Sequence, residues 1–181
     1  MIFVRDKGRM CNNILQYGHL YAWARANNQK TVSMRFAYKY QYFHICRTRW
    51  HNFFVYLFAK YAAQLKLIPT VTFDTPDEDF TEKENAMRRG CLVAEGWFAR
   101  WYDLFLQYKP EILSLFAFDS HIESKITSLL ETSSKEGIIR LGVHIRRGDY
   151  TTWNDGRFLY DDKQMVNIIR QFILLHPNKR V

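Results

Sequence analysis

The sequence predicts an α/β fold, a Rossmann-like parallel sheet flanked by helices. Two observations carry that expectation. The first 36 residues spell strand, loop, helix, strand: the apolar run Ile2-Phe3-Val4, a loop at Gly8, a helical stretch over about Asn13–Asn27, and the run Thr31–Phe36. This is one βαβ unit, and short all-apolar runs of this kind mark strands buried on both faces of a parallel sheet. Further on, Ile138-Ile139-Arg140-Leu141 reads as a short buried strand. It leads straight into Gly142-Val143-His144-Ile145-Arg146-Arg147-Gly148-Asp149-Tyr150. Charge gathered at the exit of a strand, beside glycines, stands where open α/β sheets place their ligands.

The elements follow in order. In the first helix Ile14, Tyr17, Gly18 and Tyr21 recur at helical spacing, with Asn12 as the natural N-cap. Residues 37–68 mix two periods. Tyr38, Tyr40 and Tyr42 alternate as in a strand, whereas Phe54, Leu57, Phe58, Tyr61, Ala62 and Leu65 predict a helix from about Trp50 to Leu67, ended by Pro69. Val71-Thr72-Phe73 and Cys91-Leu92-Val93-Ala94 are the next strand candidates, with an acidic surface loop, Thr75 to Asn85, between them. Helices are expected over Trp97–Leu106 and Pro110–Phe116. An amphipathic helix is expected over Ser120–Thr132, turning Ile122, Ile126, Leu129 and Leu130 inward. After the arginine cluster come a polar loop, Thr151–Phe158, and a last helix, Lys163–His176, capped by Asp161 or Asp162. Lys179-Arg180-Val181 then reads as the start of another strand. A βα pair lacking its following strand leaves apolar helix surface uncovered, so the chain is expected to be incomplete, either truncated or part of a longer protein.

Bulk properties narrow the partners. The chain has 181 residues, 48% hydrophobic and 24% charged, enough for an ordinary globular core. Its 26 Lys and Arg against 18 Asp and Glu leave a charge of +8, which favours anionic partners. Cys11, Cys46 and Cys91 are too scattered for a disulfide framework or a zinc site. No apolar stretch approaches the ~18 residues of a membrane span. The expected location is therefore cytoplasmic, with peripheral contact at the inner membrane face open through aromatic and basic residues. Arg88-Arg89, like the basic group His44, Arg47, Arg49 and His51 near Trp50, reads as solvated surface. The latter group also resembles a nucleic-acid patch.

The segment His144-Ile145-Arg146-Arg147-Gly148-Asp149-Tyr150 resembles the H-x-R-R-x-D motif of α-1,2- and α-1,6-fucosyltransferases and protein O-fucosyltransferases, and its Gly-Asp-Tyr continuation is similar to the bacterial α-1,2 branch. Gly8-Arg9-Met10-Cys11-Asn12-Asn13-Ile14-Leu15-Gln16-Tyr17 resembles that family's opening glycine loop, with Cys11 where glycine and Asn13 where glutamine is usual. Glu95-Gly96-Trp97-Phe98 is weakly similar to a further segment of that branch.

The resemblance implies the N-terminal lobe of a GT-B-type glycosyltransferase: residues 1–135 as an acceptor-side lobe, and 136–181 as the start of the donor-binding lobe. It implies inverting, metal-independent transfer of L-fucose from the donor substrate GDP-L-fucose to a glycan hydroxyl, in α-1,2 linkage to galactose, with no other cofactor. Arg146 would hold the β-phosphate, and Arg147 would orient the loop or contact the nucleotide. Asp149 would fix an arginine or hydrogen-bond the donor, and His144 would bind the donor or brace the strand exit. Gly148, Gly8, Asn12 and Asn13 would complete the substrate contacts. For the general base, Asp149 is the nearest motif carboxylate and Asp155 the other candidate. Metal independence is part of what the resemblance implies; the sequence's one Asp-x-Asp, Asp77-Glu78-Asp79, is Glu-centred in the acidic loop and is not read as a diphosphate–metal pair, and Asp161-Asp162 are adjacent. Two other readings compete, a basic aromatic-rich nucleic-acid-binding module and an inactive fragment needing its missing C-terminal half.

Overall fold

The computed structural model describes residues 1–76, 79–131 and 138–180, which fall into two compact units, Met1–Glu123 and Ser124–Val181. The division expected from sequence, 135/136, falls outside the described residues, as do Asp77 and Glu78 of the acidic triplet and Thr132.

In the first unit β1 (Ile2–Arg5), β2 (Thr31–Ser33), β3 (Thr70–Thr72) and β4 (Leu92–Glu95) form an all-parallel sheet in the order β2-β1-β4-β3. In register, Phe3 stands opposite Val32 on one side and Val93 on the other. Side chains alternate along each strand, and the two faces accordingly fill two cores. Ile2, Val4, Leu92 and Ala94 pack with Tyr17, Leu20 and Trp23 of α1 (Met10–Ala26). Phe3, Val32 and Val93 pack with Ala59 of α2 (Phe53–Gln64), on the opposite face. This is the α/β arrangement expected from sequence, a parallel sheet with helices on both faces.

Several expectations are corrected. The first helix starts at Met10 with Arg9 at its N-cap, so Asn12 lies inside the first turn and caps nothing; the positive φ of Gly8, +86°, turns the chain early enough for the helix to begin sooner. The alternating tyrosines form turns rather than a strand, since Tyr40 itself has φ +59°. α3 (Thr81–Arg89) starts inside the acidic loop and runs past its end; its only buried residue is Met87, so no apolar period betrays it. Trp97–Trp101 is not helical; helix resumes at α4 (Tyr102–Gln107), followed by α5 (Lys109–Leu115).

α6 (Ser120–Glu131) matches in extent but not in burial: Ile126, Leu129 and Leu130 are exposed. In the second unit the run at 138–141 is not a buried strand. Among the described residues its one ladder contact is a parallel bridge between Ile138 and Arg180, in which the Ile139 amide donates to the Arg180 carbonyl at 2.8 Å. A strand needs such partners along its whole length, and residues 142–147 have none from a ladder among the described residues. A 3₁₀ turn, Gly148–Thr151, closes the motif, and a second, Trp153–Gly156, interrupted by left-handed Asn154 and Asp155, lies in the expected loop. They are followed by α7 (Asp162–Leu174), which Asp161 caps reciprocally with Gln164.

Candidate functional site

The glycine turn after β1 is held by its own helix. The Gln16 side chain accepts the Lys7 amide at 3.1 Å and donates to the carbonyls of Lys7, at 2.7 Å, and Asn12, at 3.0 Å. A side chain on Gly8 would meet the Trp97 ring at 3.0 Å, so the Glu95–Phe98 segment packs onto this turn. The Glu95 carboxylate binds Arg5 at 3.0 Å and Lys7 at 3.8 Å, tying the exits of β1 and β4 together. Asn12 is exposed. Asn13 is fully buried, and neither its amide oxygen nor its nitrogen has a hydrogen-bond partner among the described residues.

The arginine motif belongs to the second unit. There the extended backbone sends the two guanidiniums apart. Arg146 joins His144, Tyr150 and Tyr160 around a pocket of about 300 Å³. Its guanidinium lies 4.1 Å over the Tyr150 ring and reaches Asp149 Oδ2 at 3.3 Å. Tyr150 in turn stacks on Trp153 at 5.1 Å. Arg147 does not line the pocket; it pairs with Asp162 at the start of α7. Gly148, with φ +75°, opens the turn directly after the two arginines. His144, Arg146, Arg147, Gly148 and Asp149 are all exposed, as is Asp155, which sits in a left-handed conformation with φ +54°.

A second pocket escaped the sequence. α1, which follows β1, and α2, which joins β2 to β3, cover opposite faces of the sheet, although Phe36, Phe43 and Ile45 after β2 pack on the α1 side. The crevice at the carboxyl ends of β1 and β2 measures about 490 Å³ and is lined by Arg5, Asp6, Arg35, Tyr38, Tyr56 and Lys60, among others. Asp6, only 3% exposed, accepts a hydrogen bond from Ser33 Oγ at Oδ2, while Oδ1 has no hydrogen-bond partner among the described residues. Burial pushes its pKa up to about 7, against the opposing pull of the Ser33 hydroxyl and of Arg35.

The same Ser33 donates its amide to Nε2 of His51 at 2.9 Å. Burial lowers the His51 pKa to about 4, leaving a neutral ring whose Nδ1 proton goes to Thr48 Oγ1, 2.6 Å away. His51 is therefore an interior brace and not the solvated residue expected, and the basic group around Trp50 loses one of its members. A charged residue directly after an all-apolar strand, and a serine ending the next strand, were the sequence signals for this crevice.

Family models, curated proteins and solved structures were all compared with this chain, and none matches it.

Proposed function

We propose that this chain carries part of a GDP-L-fucose-dependent glycosyltransferase, with Arg146 as the residue that takes up charge on the leaving group. The observation that supports this reading is the setting of Arg146. Its guanidinium carbon lies 4.1 Å from the centre of the Tyr150 ring, and Asp149 steadies it. A guanidinium carries five N–H donors, more than one carboxylate contact uses, so donors remain for phosphate oxygens. In transfer, the bond between the sugar C1 and the β-phosphate oxygen breaks and its electron pair stays with GDP. The acceptor hydroxyl oxygen bonds C1 from the opposite side, and its proton passes to a base, the role to which the sequence brings Asp149 and Asp155. A donor fixed in place before the reaction stabilises the developing phosphate charge without reorganising. Arg147, held by Asp162, would keep the loop in shape.

GDP should raise the Tm of the protein, since a ligand that binds only the folded state stabilises it by mass action. Arg146→Ala should abolish that shift and lower any fucose transfer by about 100-fold or more. A well-folded protein whose Tm ignores both GDP and GDP-fucose would refute the reading.

No helix among the described residues is long and apolar enough to cross a membrane. Peripheral contact with an anionic membrane surface belongs to the same proposal. It is supported by α2 and the turn after it, where Phe54, Phe58, Tyr61 and Leu65 stand exposed at helical spacing beside Lys60 and Lys66, the pattern of a helix that lies in a membrane interface.

A further inference from the structure

The crevice at the carboxyl ends of β1 and β2 has no part in the GDP-fucose step proposed above, and it is a built site. Adjacent parallel strands whose connections leave on opposite faces open a cleft at their carboxyl ends, and in open α/β sheets that is where ligands bind. β1 and β2 are neighbours whose following helices, α1 and α2, cover opposite faces of the sheet, while the segment between β2 and α2 packs first on the α1 side.

Three features define what the cleft can hold. First, Asp6 presents a buried carboxyl oxygen with no hydrogen-bond partner among the described residues. Burying such a group unpaired costs free energy, and native interiors rarely tolerate it without cause. A hydroxyl donor from a ligand would satisfy it. Second, the rings of Tyr38 and Tyr56 lie 4.4 Å apart and form one wall, and Arg35 Nη1 fixes the Tyr38 hydroxyl at 2.9 Å. An aromatic wall suits the apolar C–H face of a pyranose. Third, the lining is cationic. Arg35 and Lys60 have no carboxylate within ion-pair distance among the described residues, and Arg5 is shared with Glu95. One buried carboxyl amid three cations leaves an excess of positive charge for an anionic substituent.

We propose that this crevice binds a sugar ring bearing an anionic group, with Asp6 accepting a ring hydroxyl, Tyr38 and Tyr56 together walling one side of the ring, and Arg35 and Lys60 facing the anion. The cleft of about 490 Å³ has room for a phosphorylated or carboxylated monosaccharide. The anion is either a phosphate or a carboxylate, and the test separates them.

Calorimetric titration of the full chain with glucose 6-phosphate, glucuronate, glucose and inorganic phosphate decides the matter. At least one anionic sugar should bind, with glucose and phosphate each about tenfold weaker or more, since losing a hydrogen bond to a charged group costs at least that factor. The preferred sugar tells whether the anion is phosphate or carboxylate. Asp6→Asn and Lys60→Ala should each weaken binding about tenfold or more. Asp6→Asn should also raise the Tm at pH 8, because it removes a buried carboxylate, so lost binding in that variant cannot be put down to unfolding. Arg146→Ala should leave this binding unchanged, which keeps the outcome separate from that of the GDP-fucose reading. The proposal is overturned if neither anionic sugar binds, if phosphate alone binds as well as either sugar, or if binding survives both crevice variants.

Discussion

Gly96 admits no side chain. Its φ is +119°, and a Cβ built there would lie 2.2 Å from the Phe73 carbonyl oxygen and 2.6 Å from the Phe73 nitrogen. Both atoms are backbone, and the Phe73 carbonyl also accepts the Phe98 amide at 3.1 Å, so neither can yield cheaply. Gly96→Ala should therefore cost about 1–3 kcal/mol from the φ alone, with the overlap in addition, and thermal melting should show it as a drop of several degrees. An unchanged Tm would refute this geometry. Asp6 makes the opposite kind of prediction. Its folded pKa, about 7, lies above the ordinary carboxyl value of 3.8. Below about pH 4 the carboxyl is protonated whether the chain is folded or not. As pH rises from about 4 to 7 the unfolded chain ionises while the folded one keeps its proton, so stability falls across that window and stays low above it. The ceiling is about 4 kcal/mol. Chemical denaturation from pH 4 to 8 should show this decline in the wild type and a flatter profile in Asp6→Asn; parallel profiles would assign the slope to other groups.

At the scale of elements, legibility followed burial. β1 and β4 were read to within a residue at most points because strands covered on both faces are apolar runs, and Ile2-Phe3-Val4 and Leu92-Val93-Ala94 are nothing else. α3 was invisible because Thr81–Arg89 buries one side chain and carries charge on every other face. His51 was misread for a related reason: its interior place depends on the Ser33 amide, a partner 18 residues away that no local pattern reveals. The arginine motif was legible as a cluster, but the separation of Arg146 toward Tyr150 and Arg147 toward Asp162 depends on contacts with later residues. In α2 both levels are visible together. Asn52 caps the helix by accepting the Val55 amide at 3.0 Å, and Ala59 and Ala62 face inward where small side chains let the helix approach the sheet. The outward face is then more apolar than a solvated helix requires, with Phe54 81% exposed. Replacing Phe54 and Phe58 together by serine should lower co-sedimentation with anionic phospholipid vesicles about tenfold or more, given the ~1.5–3 kcal/mol that each buried Phe contributes. Secondary structure should stay intact, because Phe54 stands in solvent and Phe58 meets the core only edge-on at Phe3. Equal sedimentation of variant and wild type would remove α2 as a membrane contact.

Across the whole molecule, burial is one-sided. Every described residue that is fully buried lies in Met1–Glu123, the last of them Ile112; from Ser124 onward none does. The first unit has two cores on either side of its sheet. The second has one parallel bridge, a capped helix and the stacked rings of Tyr150 and Trp153, while Ile126, Leu129, Ile145, Ile168 and Leu174 remain exposed. Because stability comes mainly from apolar area removed from water, the two units should not share one opening free energy. Native proteins open in cooperative parts, and the parts with few buried apolar contacts open first. Hydrogen exchange read by mass spectrometry should therefore find the amides of β1, β4 and α1 the slowest to exchange. Those of α6 beyond Glu123 and of α7 should exchange orders of magnitude faster, although both are helices with intact backbone hydrogen bonds. Helical hydrogen bonds alone protect weakly when no tertiary packing backs them. If α7 proved as protected as α1, its apolar residues would have to be covered in solution, and the exposure of Ile168 and Leu174 would not describe the protein there.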